Sequence, residues 1–519
     1  MRKVSFGAAI AIAVISTATA FAGTVNEYQK LIAHDGGSDA LFGSSVAVDA
    51  QTSVIGAPAD PSAAVPGAVY TFKRNPDRTW AKELKLMAAD GAEGDEFGAA
   101  VAVEADTLIV GAPMADEASG AAYVFERRAG NWVERQKLAT DAESATFGQS
   151  IALEFDTALV GAPGEHGQTG AVYVFQRNGN GTWDRVQKIP GPAFRGATGA
   201  AGLFGTSVAL SRDLALIGNP AEDGTGAAYL VERGADGSWG ELRRLTADDG
   251  EIGDGFGVAV ALDGYRAIIG ADRANAAAGS AYVFEPVAGG AWELKQKLVV
   301  ANPASIASFG RSVALHRDTA VVGGNGSAHT FTRNPHTRVW AEREELRSSE
   351  GSVGFFGHAV GWDGTTAVVG ASLDDQNGSR SGSSYVFRLS PVVNAIFPFA
   401  IHPRNRGIVQ IAILGSEELD VTRIDMTTLR FGPDEVAPVH DLTDSFAMTN
   451  HLREVNGDGI IDLVLHFRTR RSGIGCGDEI ATLTGQTLDG RMIDVSGSIQ
   501  AIGCQSSPAS RDRGARPGR

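Results

Sequence analysis

The chain has 519 residues and a formal net charge of −16, with 61 Asp and Glu against 45 Lys and Arg. This acidic balance argues against a nucleic-acid partner, because binding to a phosphate backbone depends on basic patches that release counterions. An acidic chain is better suited to binding cations. The chain is also longer than one ordinary domain, so we expect at least two domains.

Residues 1–22 have the pattern of a secretory signal peptide. Arg2 and Lys3 precede an apolar run, and small residues ending in Ala20-Phe21-Ala22 follow it. The run is too short to cross a bilayer, which takes about 20 residues. We therefore expect a secreted, periplasmic or cell-surface protein without membrane insertion.

A Phe-Gly pair recurs at intervals of 47 to 57 residues. Each pair is followed by four short apolar stretches, rich in Val, Ile, Tyr and Phe and separated by turn residues, which is typical of strands. The second stretch ends in Gly-Ala-Pro or a degraded form, and the fourth carries Trp and ends in Gln-Lys-Leu or a variant. Four strands in a period near 50 predict an all-β, seven-bladed β-propeller over residues 23–390. The pairs are Phe42-Gly43, Phe97-Gly98, Phe147-Gly148, Phe204-Gly205, Phe256-Gly257, Phe309-Gly310 and Phe356-Gly357.

The seventh repeat lacks the Trp-bearing fourth strand. An orphan copy of that strand, Tyr28-Gln29-Lys30-Leu31, precedes the first Phe-Gly pair. We therefore predict that this N-terminal strand completes the last blade and closes the ring, which removes two exposed strand edges.

The spacing of Phe-Gly and Gly-Ala-Pro resembles the FG-GAP repeats of integrin α subunits and of many secreted bacterial proteins. The resemblance covers about Thr24 to Ser390. It implies a seven-bladed propeller used for extracellular ligand binding, adhesion or assembly, often with calcium in blade loops.

Two loop types carry carboxylates in the blades, although no blade has a full D-x-D-x-D-G-x-x-D run. Calcium takes six to eight oxygen ligands, whereas Asp and Asn beside Gly also make ordinary turns. We expect turns rather than calcium here. The loops before the Phe-Gly pairs contain Asp35, Asp39, Asp90, Asp95, Asp249 and Asp254, and the loops after the Gly-Ala-Pro positions contain Asp60, Asp116, Glu222, Asp223, Asp374, Asp375 and Asn377.

Residues 391–505 lack the blade period. Alternating apolar stretches predict a small, β-sandwich-like C-terminal domain, followed by a disordered tail over residues 506–519. The two cysteines, Cys476 and Cys504, both lie in this domain. In an oxidising compartment we expect them to pair.

One segment of the C-terminal domain resembles the front of an EF-hand or dockerin-type calcium loop. Position 12 is Leu465 instead of Glu, and a strand pattern follows, so we predict a calcium loop that leads into a strand. A plain hairpin turn is the alternative. The predicted ligands, at loop positions 1, 3, 5, 7 and 9, are Glu454, Asn456, Asp458, the carbonyl of Ile460, and Asp462.

Known catalytic motifs are absent from the sequence: there is no G-x-S-x-G, H-E-x-x-H, P-loop or C-x-x-C. The ten histidines are scattered, and we interpret His166, His358 and His440 as turn or structural residues. We therefore expect a non-enzymatic binding or adhesion scaffold for an extracellular protein or polysaccharide. The alternative is a hydrolase or lyase that uses carboxylates at the mouth of the central channel.

Overall fold

The computed structural model describes residues 23–502, except 60–65, 193–201, 241, 303–305, 335–336, 352, 390–393, 399, 405–406, 416–418, 441–450, 458 and 489–490. The described chain forms two compact units, one ending at Phe387 and the other beginning at Arg388. The predicted signal peptide and tail lie outside the described residues. Across the described ranges, no helix is both long and apolar enough to span a membrane.

The first unit is a seven-bladed β-propeller, as predicted. The four strands of each blade pair antiparallel, and the first strand of every blade contacts the first strand of the next, including the seventh with the first. Short helical turns, Ala115–Ala118, Glu165–Gln168 and Glu222–Gly224, lie between the second and third strands of blades 2, 3 and 4.

The strands of blades 1 to 7, each blade in the order first to fourth strand, are Ser45–Asp49, Thr52–Ala57, Ala68–Arg74 and Trp80–Leu86; Ala100–Glu104, Thr107–Ala112, Ala121–Arg128 and Asn131–Ala139; Ser150–Glu154, Thr157–Ala162, Ala171–Arg177 and Trp183–Pro190; Val208–Ser211, Leu214–Asn219, Ala227–Glu232 and Arg243–Leu245; Val260–Asp263, Arg266–Ala271, Ser280–Pro286 and Trp292–Leu298; Ala307–His316, Thr319–Asn325, Ser327–Arg333 and Trp340–Arg347; Phe356–Trp362, Thr366–Ala371, Ser383–Arg388 and Gln29–Leu31.

The N-terminal segment closes the ring, which confirms the prediction. Gln29–Leu31 pairs antiparallel with Ser383–Arg388 as the fourth strand of blade 7. The residues before it make a further pairing that the sequence pattern did not predict. Gly23–Asn26 runs parallel to Trp340–Arg347 and adds a fifth strand to blade 6.

The Phe of each Phe-Gly pair is buried in the core of its blade. The ring of Phe147, for example, lies 5.3 Å from that of Tyr173 and 6.0 Å from that of Phe175, in edge-to-face geometry. The glycine that follows lets neighbouring blades meet through their backbones. Gly148 has a φ of +96°, and a Cβ on Gly111 of the preceding blade would lie 2.0 Å from its carbonyl oxygen, so both positions require glycine.

Glutamine side chains join the fourth strands of neighbouring blades. Gln136 of blade 2 donates a hydrogen bond from Nε2 to the Trp183 carbonyl and accepts one at Oε1 from the Trp183 N–H, both at 2.8 Å. We call this pair of bonds the glutamine latch. The latch recurs between blades 3 and 4, 5 and 6, and 7 and 1, as Gln187 with Trp239, Gln296 with Trp340, and Gln29 with Trp80.

The second unit is an all-β structure with two larger sheets and one two-stranded sheet, in agreement with the predicted sandwich-like domain. Buried side chains of both sheets, among them Ile411, Leu465 and Phe431, share one core. Cys476 belongs to this unit, but Cys504 lies outside the described residues, so their pairing stays a prediction. In spatial order, the sheets contain Asn394–Ile396, Ile408–Leu414, Asp462–Arg468 and Leu452–Arg453; Ile424–Phe431, Ile480–Thr487 and Met492–Ser498; a parallel pair joins Ala400–Ile401 to Gln500–Ala501, and 3-10 turns span Val421–Arg423 and Thr469–Arg471.

Candidate functional site

Carboxylates from both predicted loop types meet around a lysine in blade 2. The Nζ of Lys137, on the fourth strand, lies 2.8 Å from Asp90 Oδ2 and 3.0 Å from Asp116 Oδ2. The hydroxyl of Tyr123 donates to Asp90 Oδ1 at 2.8 Å. The ammonium group of Lys137 therefore lies between the Asp90 and Asp116 oxygens that a bound metal cation would use.

The same blade cluster, a basic side chain of the fourth strand with a third-strand tyrosine and loop carboxylates, recurs in other blades. In blade 7 the basic residue is Lys30 of the N-terminal strand, 2.6 Å from Glu350 Oε2 and 3.0 Å from Asp374 Oδ2. The remaining ion pairs are Lys85 with Asp35, Lys188 with Glu165, Arg244 with Glu222 and Asp223, and Lys297 with Asp249.

The contacts in the blade 2 cluster favour the charged form of both partners. The hydrogen bond from Lys137 lowers the pKa of Asp90 below its ordinary value. Burial lowers the pKa of Lys137, but its hydrogen bonds to Asp90 and Asp116 outweigh burial and raise the pKa overall. Because both groups are ionised at neutral pH, the chain supplies its own cation to these carboxylates.

Blade 6 has polar residues at the same positions, but an acidic residue replaces the basic residue of the fourth strand. His329 stands where other blades have tyrosine, and Glu345 stands where they have lysine or arginine. The ring of His329 is held at both ends, with Nδ1 2.8 Å from Glu342 Oε1 and Nε2 2.9 Å from Ser327 Oγ. The His329 ring thus remains paired at both nitrogens although the residue types differ.

Other carboxylates of the predicted loops bind backbone or basic groups. Asp95 accepts from the N–H of Ala92, and Asp254 accepts from the N–H of Glu251, each at 2.8 Å. These are turn contacts, as the turn interpretation predicts. Asp39 forms an ion pair with Arg380 at 2.7 Å, and Asp60 lies outside the described residues.

The cluster of blade 3 opens into a polar pocket of about 390 Å³. Buried Glu165 lies at its base, paired with Lys188, and the Nδ1 of exposed His166 is 3.0 Å from Glu165 Oε1. Arg185 and Asp141 line the opening. His166 is therefore a turn residue, as we interpreted it, but it borders a pocket with both signs of charge.

Side chains at the ends of the first strands tie neighbouring blades together around the axis. Asp49 Oδ2 of blade 1 accepts from the N–H of Ala105 of blade 2 at 2.6 Å. We call these side chains the inner ring. The corresponding bonds farther round the ring run from Phe155 to Glu104, Arg212 to Glu154, Gly264 to Ser211 and Arg317 to Asp263.

Two members of the inner ring have raised pKa values. Burial is the main cause for both Glu104 and Glu154, and nearby carboxylates raise each pKa further, although the backbone hydrogen bonds partly offset this. Glu104 and Glu154 were not among the site residues predicted from the sequence. An acidic residue at the end of the first stretch, as in Val46-Ala47-Val48-Asp49, was the available signal.

The predicted calcium loop connects the paired strands Leu452–Arg453 and Asp462–Arg468. Asp462 is fully buried, and its two oxygens accept hydrogen bonds from the backbone N–H groups of Gly415 at 2.8 Å and Val455 at 2.7 Å. This carboxylate therefore holds the loop to the neighbouring strand end.

The other predicted ligands lie along the same loop. Glu454 is exposed and accepts from the N–H of Gly457. Asn456 is exposed, Ile460 is half-buried, and Asp458 lies outside the described residues. Calcium binding by this loop stays a prediction.

Several solved structures are similar to this chain at low identity. A protein of unknown function from Desulfotomaculum acetoxidans is 12% identical with a TM-score of 0.41, and the match covers 62% of this chain and 90% of that chain. A proposed 6-phosphogluconolactonase from Bacteroides uniformis is 11% identical with a TM-score of 0.43, covering 66% and 94%. At these TM-scores the likeness carries no argument about fold or function.

No curated protein matches the chain. The FG-GAP repeat family matches seven segments, each ending near the close of a third strand; all but the fourth begin near a Trp-bearing fourth strand or its N-terminal counterpart. The segments are residues 25–72, 80–125, 132–175, 198–231, 239–284, 292–334 and 340–387. With more than half of its residues in these seven repeats, the chain belongs to the FG-GAP repeat family.

Proposed function

We propose that the protein is a secreted, non-enzymatic binding or adhesion scaffold that recognises an extracellular protein or polysaccharide. The propeller offers a rigid frame. The ion clusters join the strands and loops of a blade, and the glutamine latches and the inner ring join neighbouring blades. Binding then depends on what the turns between strands present to the solvent.

The observation that carries this proposal is the exposure of two aromatic side chains at equivalent turns. Phe155 and Tyr265, in the turns between the first and second strands of blades 3 and 5, are 74% and 69% exposed. The third-strand tyrosines, in contrast, are buried. Exposed aromatic rings serve recognition, because they provide a large contact area at little conformational cost.

Carboxylates of the inner ring lie beside these two turns. The backbone N–H of Phe155 binds Glu104, and Tyr265 follows Asp263 by two residues. Aromatic faces beside carboxylates suit two ligand types: sugar rings, whose hydroxyl groups donate to the carboxylates, and protein segments that carry Lys or Arg.

The test is capture of ligand from the envelope and matrix of the source organism by the mature protein and by a Phe155→Ala, Tyr265→Ala double variant. The matched control is Ile252→Ala, because Ile252 is 83% exposed and lies in the loop between blades 4 and 5, at the opposite end of the strands. We expect the double variant to lose the captured ligand and the control to retain it. Equal capture by all three proteins would contradict the proposal.

The second candidate is a hydrolase or lyase at the channel mouth, and the raised pKa values of Glu104 and Glu154 favour it. Carboxyl groups with raised pKa values are suited to proton transfer near neutral pH. A Glu104→Gln, Glu154→Gln variant keeps an oxygen for each backbone hydrogen bond but cannot transfer a proton. Turnover of a captured polysaccharide by the parent, lost in this variant, would replace the scaffold proposal with the enzyme.

A further inference from the structure

Three histidines converge in the C-terminal unit. One ring nitrogen of each of His440, His451 and His466 lies within 4.8 Å of the other two. The centroids of the three rings are 5.0, 5.4 and 5.6 Å apart. His440 Nδ1 and His451 Nε2 are separated by 3.2 Å, which is close to the spacing of about 3.3 Å between two nitrogens bound to one tetrahedral zinc ion.

The ring of His451 is oriented for metal binding. This side chain is buried, and its Nδ1 lies 2.6 Å from the carbonyl oxygen of Val464. A carbonyl can only accept a hydrogen bond, so Nδ1 carries the proton and the lone pair on Nε2 points towards His440. A backbone carbonyl that holds the distal nitrogen is the usual support of a metal-bound histidine.

His466 supplies the third imidazole from the adjacent strand. It lies on the face of Asp462–Arg468 opposite to Leu465 and Phe467, which belong to the core. Its Nδ1 is buried and has no hydrogen-bond partner among the described residues. Buried ring nitrogens are rarely left unpaired, and a metal ion, or a group bound to it, would satisfy this one.

The backbone holds the other ligands against this strand. The N–H of Val439, the residue before His440, donates to the carbonyl of His466 at 2.7 Å. His451 pairs with Val464 through the Val464 N–H at 2.8 Å. The three ligands are therefore positioned by one strand and the two chain segments bound to it.

We propose that His440, His451 and His466 form a binding site for one divalent transition-metal ion of the zinc type. Three imidazoles suit zinc and its neighbours in the first transition row, whereas calcium and magnesium require oxygen ligands. Three protein ligands leave the fourth tetrahedral position open. Water or another ligand atom would complete the coordination at that position.

The site is chemically distinct from the predicted calcium loop. The loop offers carboxylate and carbonyl oxygens, and the histidine cluster offers nitrogen. Each ion therefore serves as a control for the other, since excess calcium should not displace zinc from imidazole ligands.

The experiment is a calorimetric titration of the untagged mature chain, freed of metal, with Zn²⁺ in the presence of millimolar Ca²⁺. Co²⁺ is then added in place of Zn²⁺, because the visible spectrum of Co²⁺ reports the number and type of its ligands. The test variant is His440→Asn, chosen because the residue is exposed and its loss should not disturb the fold. The matched control is His402→Asn, another exposed histidine of the same unit.

We expect one Zn²⁺ per chain, a tetrahedral Co²⁺ spectrum, and at least a tenfold weaker affinity in His440→Asn. The control should bind as the parent does. Equal melting temperatures of parent and both variants in EDTA would show that the variants fold. Failure of the parent to bind stoichiometric Zn²⁺, or equal affinity in parent and His440→Asn, would overturn the proposal.

Discussion

Replacing Gln29 by Ala should weaken the closure of the propeller. The change removes the latch to Trp80, in which the glutamine donates to the carbonyl and accepts from the N–H, both at 2.7 Å. It leaves two partly buried backbone groups without that partner, at a cost of about 1 kcal/mol each, or about 2 kcal/mol in total. Gln136→Ala removes the same two bonds between blades 2 and 3, but there a hairpin joins the fourth strand of blade 2 covalently to its third strand.

Hydrogen exchange distinguishes the two variants. No hairpin joins Gln29–Leu31 to Ser383–Arg388, so this fourth strand is held to the third strand of blade 7 only by non-covalent contacts. A loss of about 2 kcal/mol should therefore accelerate its local opening by about 30-fold. We expect faster exchange in Gln29–Leu31 and Ser383–Arg388 for Gln29→Ala only. Both variants should lose similar overall stability in a urea titration.

A deletion tests the closure of the ring more severely than Gln29→Ala does. Deletion of residues 24–33 also removes Leu31, which is 3% exposed, and Lys30 of the blade 7 cluster. The uncovered strand edge should then cause association. If the truncated protein keeps the melting temperature of the parent and stays monomeric, or if Gln29→Ala leaves exchange unchanged, the closure reasoning is wrong.

Three more predictions concern calcium, the cysteines and pH. Calorimetry should detect weak calcium binding, with a dissociation constant of about 10⁻⁴ to 10⁻³ M, that is lost in Asp458→Ala; an equal response in both proteins would show that the loop is an ordinary turn. Mass spectrometry after alkylation without reduction should find Cys476 joined to Cys504, and two alkylated thiols would refute the pairing. Burial, and then Arg311, lowers the pKa of His358 to about 4 from 6.5. The unfolded chain therefore binds more protons between these values, so about 3 kcal/mol of stability should be lost as pH falls from 6.5 to 4. His358→Gln should flatten that part of the melting-temperature profile, and an unchanged profile would contradict the assignment.

Local patterns were sufficient to predict the propeller. Each strand is a short apolar stretch bounded by turn residues, so the number of Phe-Gly pairs determined the number of blades. The missing seventh Trp strand and the orphan Tyr28 to Leu31 segment determined how the ring closes. The loop carboxylates were also identified from the sequence, because acidic residues beside glycine recur at fixed positions in the repeat.

Only the tertiary structure decided what those carboxylates bind. Lys137 meets Asp90 across 47 residues because the fourth strand folds back beside the loop that precedes its own blade, and an isolated Gln-Lys-Leu motif does not reveal this contact. The histidine cluster has the same origin. His440, His451 and His466 follow no metal-binding spacing in the sequence, and it is the strand register of the C-terminal unit that brings their rings together. Repeat spacing is a local property, whereas contacts between side chains depend on which distant strands become neighbours.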